Sequence, residues 1–337
     1  MLRRIVTVFG GSGFIGRHVV RRLALEGAQV RVAVRDPETA NYLRLMGGVG
    51  QIVPVPTDIS DTESVAHALV GADQAVNLVG ILFEAGKQRF RSVHTDAAAS
   101  IADASQTAGL RQLVHVSAIG ADAKSDSLYA QTKGLGETAV KQAFPGVTIL
   151  RPSIVFGPED GFFNLFAGIS GLAPALPVFG CPAWPKLSVF SVKGLINFDF
   201  YGDGGTKFQP VYVGDVADAV MTALRSPETA GKVFELGGPT VYSSKELMVL
   251  MLRTIGRRRL LLPLPFWLLT AMGFFMEALP RPIITRDQVK LLRRDNVVAR
   301  RAKKLQDLGI APTAAEAVLP TYLARFKIHR SASAERL

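Results

Sequence analysis

A short apolar run followed by a glycine-rich turn decides the fold of this chain, and it reads Ile5-Val6-Thr7-Val8-Phe9-Gly10-Gly11-Ser12-Gly13-Phe14-Ile15-Gly16. The apolar run predicts a buried β-strand, and the residues from Gly16 onward predict a helix. Glycines at such a junction permit a tight turn and let backbone amides approach a pyrophosphate, while the helix start adds partial positive charge. The segment therefore predicts a dinucleotide-phosphate loop, although the spacing alone also occurs in ordinary strand-to-helix turns.

Beyond this loop, short apolar runs alternate with helical patterns. This alternation predicts an α/β fold, a doubly wound parallel Rossmann sheet covered by helices on both faces. The predicted strands cover residues 5–9, 29–34, 51–55, 74–79, 112–116, 147–150 and 232–236. The predicted helices cover residues 16–26, 62–69, 96–109, 129–144 and 211–224.

The alternation breaks after Gly157, where prolines punctuate the chain, and it returns near residue 211. We therefore expect two domains and a tail: residues 1–157, completed by about 211–238, form the nucleotide-binding domain, residues 158–210 and 239–330 form a smaller, discontinuous C-terminal domain, and residues 331–337 fray. Residues 186–192 and 195–201 alternate apolar and polar side chains around Lys193-Gly194, which predicts a hairpin.

The residue at the end of the second strand indicates which dinucleotide is bound. An acidic residue there accepts a hydrogen bond from the ribose 2′-hydroxyl of NAD(H), whereas an arginine pairs with the 2′-phosphate of NADP(H). Here it is Arg35, so NADP(H) is favoured over NAD(H), with Arg17 as a candidate second contact. The alternative is a solvated arginine beside Asp36. Asp58 follows the third strand, where it could accept from the adenine amino group or cap the helix near Asp61.

A proton-transfer set follows the fifth strand. Ser117 ends that strand, and Tyr129 and Lys133 lie one turn apart on the next helix. Because residues at i and i+4 share a helical face, we expect the Lys133 ammonium to lower the pKa of the Tyr129 phenol from about 10. Tyr129 would then be a general acid/base, and Ser117 would hold the substrate oxygen. A non-catalytic surface pair is the commoner explanation of the tyrosine–lysine spacing alone.

These residues resemble the short-chain dehydrogenase/reductase superfamily in its extended or atypical branch. Three blocks resemble, more narrowly, the family of nucleotide-binding accessory subunits of respiratory complex I: LRPSIVFGPED with FFN (residues 150–160 and 162–164), FQPVYVGDVA (208–217) and TRDQV (285–289). The resemblance implies that the glycine loop, Tyr129 and Lys133 hold NADPH and that Pro152 and Ser153 lie near the nicotinamide. It also implies complex I subunits as partners and a chiefly structural nucleotide.

The predicted nucleotide contacts come from the glycine loop, the strand ends and the tyrosine helix. They are Gly10, Gly11, Ser12, Gly13, Phe14, Ile15, Gly16, Arg17, Arg35, Asp58, Ile59, Val79, Gly80, Tyr129, Lys133, Pro152 and Ser153. The predicted catalytic residues are Ser117, Tyr129 and Lys133. The five histidines show no metal-ligand spacing, so no metal site is expected.

The sequence departs from that family in three respects. Residues 181–207 form a longer segment than the family's linker. Gly134 and Gly136 fall inside the tyrosine helix, where each costs about 1 kcal/mol relative to alanine, and close packing against the cofactor or a neighbouring helix would explain them. No organellar presequence is recognisable before the glycine loop, so we expect a bacterial or an already processed protein.

Positive charge is concentrated near the C-terminus. The net charge is +11, and residues 253–304 hold 13 Lys and Arg against three acidic residues. This asymmetry predicts contact with something anionic, such as a membrane surface or an acidic protein. Nucleic acid is a less favoured partner because the basic run lacks interleaved aromatic residues. Residues 260–276 are apolar but interrupted by prolines and too short to span a bilayer, so they predict an interfacial segment or a core helix.

Two functions compete. The leading hypothesis is an NAD(P)H-binding accessory or assembly subunit of membrane-attached NADH:ubiquinone oxidoreductase (complex I). The alternative is an active NADP-dependent reductase, dehydrogenase or epimerase with a quinone-like or lipid-like substrate, because apolar residues follow the sixth strand where a cleft is expected: Phe162, Phe163, Leu165, Phe166 and Leu172. With a single cysteine and no recognisable secretory signal, we expect a cytoplasmic protein, peripheral on the inner membrane face.

Overall fold

The structure is a computed structural model that describes residues 4–86, 88–182, 186–191, 194–279 and 282–327. Its strands are β1 (Ile5–Phe9), β2 (Gln29–Val34), β3 (Ile52–Pro56), β4 (Gln74–Asn77), β5 (Gln112–Val116), β6 (Thr148–Pro152), β7 (Val155–Phe156), β8 (Ala175–Cys181), β9 (Lys186–Ser191), β10 (Gly194–Asp199), β11 (Lys207–Phe208), β12 (Val211–Tyr212), β13 (Val233–Leu236), β14 (Tyr242–Ser243) and β15 (Leu260–Pro265). Its α-helices are α1 (Phe14–Leu25), α2 (Thr62–Leu69), α3 (Ala97–Thr107), α4 (Leu128–Ala143), α5 (Phe162–Leu172), α6 (Val213–Arg225), α7 (Ser244–Thr254), α8 (Phe266–Met276), α9 (Arg286–Leu292) and α10 (Ala315–Leu323). A π-helical turn, Arg91–Asp96, precedes α3.

Seven parallel strands form the central sheet in the order β13-β6-β5-β4-β1-β2-β3. The order reverses beside β1, because the chain runs outward through β2 and β3 on one side and through β4, β5 and β6 on the other. In open parallel sheets, ligands bind at such a reversal, beyond the carboxyl ends of the strands. The predicted doubly wound fold is confirmed, and the glycine loop after β1 lies at this switch point.

Helices cover both faces of the sheet. On one face, α1 and α6 bury Val20, Leu23 and Val216 against the strands. On the other face, α2, α3 and α4 bury side chains such as Leu69 and Ile101. Both faces of the sheet are therefore shielded from solvent, which explains why the strand sequences are continuous apolar runs.

The remaining elements form a smaller apolar cluster beside the carboxyl edge. Helices α5, α7 and α10 pack around Phe163, Leu247 and Leu319. Strands β9 and β10 pair antiparallel, as the predicted hairpin requires, although its turn at 192–193 lies outside the described residues. Strand β13 pairs with β6, so the chain returns to the sheet after leaving it. The exact domain boundaries stay a prediction.

The apolar segment 260–276 is divided between two elements. Its first part is β15, which pairs in parallel with β8, and its second part is α8, which starts after Pro265. Proline suits this junction because the first helical amides have no intrahelical partner. No helix in the described part of the chain is long and apolar enough to cross a membrane.

Close packing explains the two glycines of α4. A Cβ atom on Gly136 would lie 2.0 Å from the His94 carbonyl oxygen of the π-helical turn. A Cβ atom on Gly134 would lie 2.3 Å from the Ala123 amide nitrogen. Helix α4 therefore lies in close backbone contact with the π-helical turn and with the loop at residues 122–123.

The variant Gly136→Ala should lower the free energy of unfolding by about 1–3 kcal/mol, because the turn or the helix must move. The matched control is Gly171→Ala in α5, where a Cβ would meet nothing within 4 Å among the described residues. That variant should be neutral or stabilised by up to about 1 kcal/mol through helix propensity. Urea unfolding measures both, and equal stabilities would contradict the close packing.

Candidate functional site

The glycine loop between β1 and α1 has room for glycine alone at its tightest points. Gly10 has a φ of +76°, and a Cβ on Gly16 would lie 2.3 Å from the Gly10 carbonyl oxygen. The Gly13 amide closes the turn by donating to the same oxygen at 3.0 Å. The N-cap residue of α1 is Gly13, which has no side chain to accept hydrogen bonds from the first helical amides. Those amides are therefore available to an anion. The loop therefore fits the pyrophosphate of a dinucleotide.

Arg35 follows β2 directly, and its exposed guanidinium makes no hydrogen bond or ion pair within the described residues. The alternative, a solvated arginine beside Asp36, stays open, because both residues are exposed and the Asp36 carboxylate accepts from the Glu38 amide at 3.0 Å. Asp58 accepts from the Ser60 amide and hydroxyl at 2.9 and 2.6 Å. The residue that caps α2 is Asp61, so the capping alternative for Asp58 is wrong.

Arg17, the candidate second contact, has partners of its own. Its guanidinium lies 3.6 Å from the Glu159 carboxylate and stacks over the Tyr42 ring at 5.3 Å from the centroid. The Tyr42 hydroxyl donates to the Ser12 carbonyl oxygen at 2.8 Å. Tyr42 thus ties the segment after β2 to the glycine loop, a role the sequence pattern did not signal. Of the two arginines, Arg35 is the one without a partner in the described part of the chain.

The predicted contacts after β3 and β4 lie beside the core and beside Lys133. Ile59 and Val79 are half-buried against the α2–α3 face of the sheet. Strand β4 ends at Asn77 rather than at residue 79, because the Asn77 side chain accepts from the Val79 amide and turns the chain. A Cβ on Gly80 would lie 3.2 Å from the Lys133 Nζ. The structure thus brings the end of β4 against the tyrosine helix.

Two of the predicted catalytic residues come near one another at the carboxyl edge of the sheet, because the Lys133 ammonium donates to the carbonyl oxygen of Val116, the residue before Ser117. Ser117 is 5% exposed, and its hydroxyl has no hydrogen-bond partner among the described residues. The Tyr129 ring lies edge-on to Phe90 and His94, with centroids at 5.9 and 5.2 Å. A buried hydroxyl without a protein partner is costly, which makes Ser117 a candidate contact for a bound molecule.

The expected lowering of the Tyr129 pKa is wrong in this structure. Burial raises the pKa of Tyr129 to about 12. Burial also lowers the pKa of Lys133 to about 8, an effect that the nearby Glu137 carboxylate partly opposes. The Lys133 ammonium donates to the Val116 carbonyl oxygen at 3.4 Å, so desolvation, and not the cation, governs the phenol.

Two buried histidines beside Lys133 escaped the sequence-based prediction. His94 accepts from the Ile81 amide through Nε2 at 3.1 Å, so Nδ1 carries the hydrogen and donates to the Thr132 hydroxyl at 3.1 Å. Neither ring nitrogen of His115 has a partner among the described residues. Burial and the Lys133 charge lower the pKa of both rings to about 3. Both are therefore neutral at physiological pH.

Residues far along the chain complete this edge. The Ser153 hydroxyl donates to the Asn296 side-chain oxygen at 2.6 Å, and the Ser153 amide donates to the Leu236 carbonyl oxygen. Pro152, the residue before it, accepts from the Ile119 amide at 3.0 Å through its carbonyl oxygen. Ser153, predicted near the nicotinamide, thus has its hydroxyl engaged with the C-terminal region.

The nucleotide-binding geometry agrees with the similarity of this chain to known proteins. A family model described as NAD(P)H-binding matches residues 10–161. NADH dehydrogenase [ubiquinone] 1 alpha subcomplex subunit 9, mitochondrial, from Arabidopsis thaliana is 35% identical over 320 residues, covering 91% of this chain and 74% of its own. The Mus musculus protein of the same name is 32% identical, covering 98% of this chain and 82% of its own.

The chain belongs to the complex I alpha-subcomplex subunit 9 family. The narrower resemblance that the sequence indicated is thereby confirmed. Among solved structures, the UDP-glucose 4-epimerase of Thermus thermophilus in complex with NAD superposes with a TM-score of 0.64 at 20% identity, covering 96% of this chain and 98% of that one. At this identity the likeness concerns the fold alone.

In the structure of this subunit 9 family member, the aromatic residues of the apolar cleft expected after β6 pack together, whereas Leu165 and Leu172 are 40% and 95% exposed. Phe163 and Phe166 are 1% and 7% exposed and pack into the core of the smaller cluster. Phe162 lies against both rings, at centroid distances of 5.2 and 5.1 Å. These aromatic residues fill space between α5 and its neighbours, and the quinone-like or lipid-like substrate stays a prediction.

The lowered pKa of Lys133 makes stability depend on pH. In the nucleotide-free protein, the folded state loses the Lys133 proton near pH 8, whereas the unfolded state keeps it to about pH 10.5. Between those values the unfolded state binds more protons, so this group makes stability rise with pH. Relative to Lys133→Met, the wild type should gain about 2 kcal/mol from pH 8 to pH 10.

Urea unfolding at each pH measures that difference. The control is Lys141→Met on the same helix, where the ammonium is exposed rather than buried. A pH-independent difference for Lys133→Met would show that the ammonium is not desolvated.

Proposed function

We propose that this chain is an NAD(P)H-binding accessory subunit of membrane-attached NADH:ubiquinone oxidoreductase (complex I), in which the nucleotide chiefly stabilises the fold. The observation that carries the proposal is identity of 32–35% with alpha-subcomplex subunit 9 proteins over 91–98% of the chain. The glycine loop supports the nucleotide part, because its amides are uncapped and its tightest points accept glycine alone.

A structural nucleotide suits the residues around Tyr129. With its pKa raised to about 12, the phenol holds its proton at neutral pH and is a hydrogen-bond donor rather than a ready base. NADPH, when bound, supplies hydride chemistry. The glycine loop would bind its pyrophosphate, and Tyr129 and Lys133 would bind its nicotinamide half. A ligand that binds the folded state alone stabilises it by RT ln(1 + [L]/Kd).

The residues that would contact the adenosine half of the dinucleotide favour NADPH over NADH. Arg35 follows β2 and is unpaired within the described residues, so its guanidinium is available to a 2′-phosphate. No carboxylate takes its place at the end of β2. Asp58 and Ile59, after β3, complete this side of the proposed site.

The variant Arg35→Ala should weaken NADPH binding by about tenfold or more, because a charged hydrogen-bonded pair is lost, and should leave NADH binding unchanged. The control is Arg44→Ala, an exposed arginine a short distance along the chain. Isothermal titration calorimetry with both nucleotides measures the split. An equal loss for NADH and NADPH would contradict a 2′-phosphate contact.

The surface of α8 supports a contact with the membrane-attached assembly. Trp267 and Phe275 are 63% and 74% exposed. The Arg286 and Arg293 guanidinium groups lie over α8 rings, at 5.2 Å from Phe274 and 5.8 Å from Phe266. Exposed aromatic residues with a rim of cations suit a protein partner or anionic lipid headgroups. We place the chain peripherally on the inner membrane, at its cytoplasmic face.

Part of the C-terminal charge is used inside the molecule. Arg286 pairs with Glu277 at 2.8 Å, and Arg294 lies 3.8 Å from Asp122. The Lys290 ammonium donates to a backbone carbonyl oxygen before α4. The contact proposed for this region therefore depends more on the exposed surface of α8 and on Arg293 than on the summed charge.

Purification of solubilised complex I through another of its subunits should recover this chain in stoichiometric amount. The variant Phe275→Asp should reduce the recovery severalfold, because it places a carboxylate in the apolar contact, while nucleotide binding is kept. The control is Leu172→Asp, an exposed leucine at the end of α5 rather than on α8. Absence of the wild-type chain from the purified complex would contradict the proposed function.

Catalytic activity is the second candidate, and one observation favours it. The Ser117 hydroxyl is buried without a partner among the described residues, beside the helix that carries Tyr129. Such a hydroxyl could hold a carbonyl oxygen for reduction. Oxidation of NADPH by added carbonyl compounds, followed at the reduced-nicotinamide absorbance, distinguishes the two candidates, since a structural nucleotide is not turned over.

A further inference from the structure

Helix α4 carries Tyr129 and Lys133, and its start is held by a residue from the C-terminal region. Its own cap is weak, because the Ser127 hydroxyl accepts from the Ala130 amide at 3.4 Å. The Asp287 carboxylate accepts from the Leu128 amide at 2.7 Å, from the Tyr129 amide at 3.0 Å and from the Ser127 hydroxyl at 2.9 Å. One carboxylate therefore takes two of the first helical amides and orders the cap.

These contacts act where the helix needs them. The first amides of an α-helix have no intrahelical partner, and a carboxylate beside them is favoured by the helix dipole. Since one bond is to the Tyr129 amide itself, Asp287 fixes the backbone of the residue that carries the phenol. Lys133 follows one turn later on the same rigid element, beside Gly80.

Asp287 is itself held in place. It lies in the first turn of α9, whose start is closed by a capping box between Thr285 and Gln288. The Gln288 side chain donates to the Leu82 carbonyl oxygen at 3.3 Å, in the loop that follows β4. Helix α9 thus bridges the loop after β4 and the start of α4, the two segments that meet at Lys133.

We propose that Asp287 is a positioning residue for the nicotinamide end of the nucleotide site. It acts through α4, holding Tyr129 and Lys133 at their places relative to Gly80, and it does not touch the nucleotide. This inference rests on the proposed nucleotide binding. It predicts that loss of the Asp287 charge weakens recognition of the nicotinamide half and leaves the adenosine half intact.

The test compares two ligands by isothermal titration calorimetry on the full chain. The first is NADPH, which needs both halves of the site, and the second is 2′,5′-ADP, which needs the adenosine half alone. The variant Asp287→Asn, which keeps the size and removes the charge, should bind NADPH about three- to tenfold more weakly and 2′,5′-ADP as the wild type does. Asp287→Glu, which restores the charge, should recover part of the NADPH affinity.

The matched control is Glu246→Gln, which removes a carboxylate that accepts from the Ser243 amide and hydroxyl at the start of α7. It should leave both affinities unchanged even if stability falls. Equal affinities of Asp287→Asn and wild type for NADPH, or a parallel loss for both ligands, would overturn the inference. A wild-type chain that binds neither ligand would instead refute the nucleotide site, and the inference with it.

Discussion

The close approach between the start of α1 and the end of β1 is the constraint on which the site depends. A Cβ at Gly16 would lie 2.3 Å from the Gly10 carbonyl oxygen, so the helix can begin this near the strand with glycine alone. Helix α1 then points uncapped amides at the switch point of the sheet. An anion bound there satisfies donors that the fold leaves open, and nucleotide binding and folding become linked.

The buried charges under α4 explain why that helix must be held so firmly. Lys133 is 5% exposed, and the carboxylate nearest to it, Glu137, is already engaged by two Arg151 hydrogen bonds at 2.8 and 2.7 Å. The neighbouring histidines are neutral, so they add no second positive charge beside the ammonium. A buried cation with incomplete compensation is costly, and phosphate or ribose oxygens near it would reduce that cost.

Much of the fold could be predicted because its signals are local. The apolar run before Gly10 and the alternation after it follow from burial on both sheet faces, and the observed strands differ from the predicted ones by a residue or two at their ends. The pKa of Tyr129 could not be predicted, since i, i+4 spacing places Lys133 on the same helical face but does not say that its ammonium bonds to Val116. Contacts such as Tyr42 with Ser12 join segments whose spacing carries no pattern.

The three sequence segments that resemble the family, residues 150–164, 208–217 and 285–289, have one structural role in common, and their spacing in the sequence does not reveal it. Each contains an aspartate that accepts hydrogen bonds from a distant part of the chain: Asp160 from the Tyr322 hydroxyl, Asp215 from the Thr313 amide and hydroxyl, and Asp287 from the start of α4. Burial raises the pKa of Asp160 and of Asp215, so desolvation destabilises both carboxylates. The hydrogen bonds that they accept offset part of this desolvation. These anchors attach the C-terminal region to the sheet, so a surface such as α8 is fixed relative to the nucleotide site.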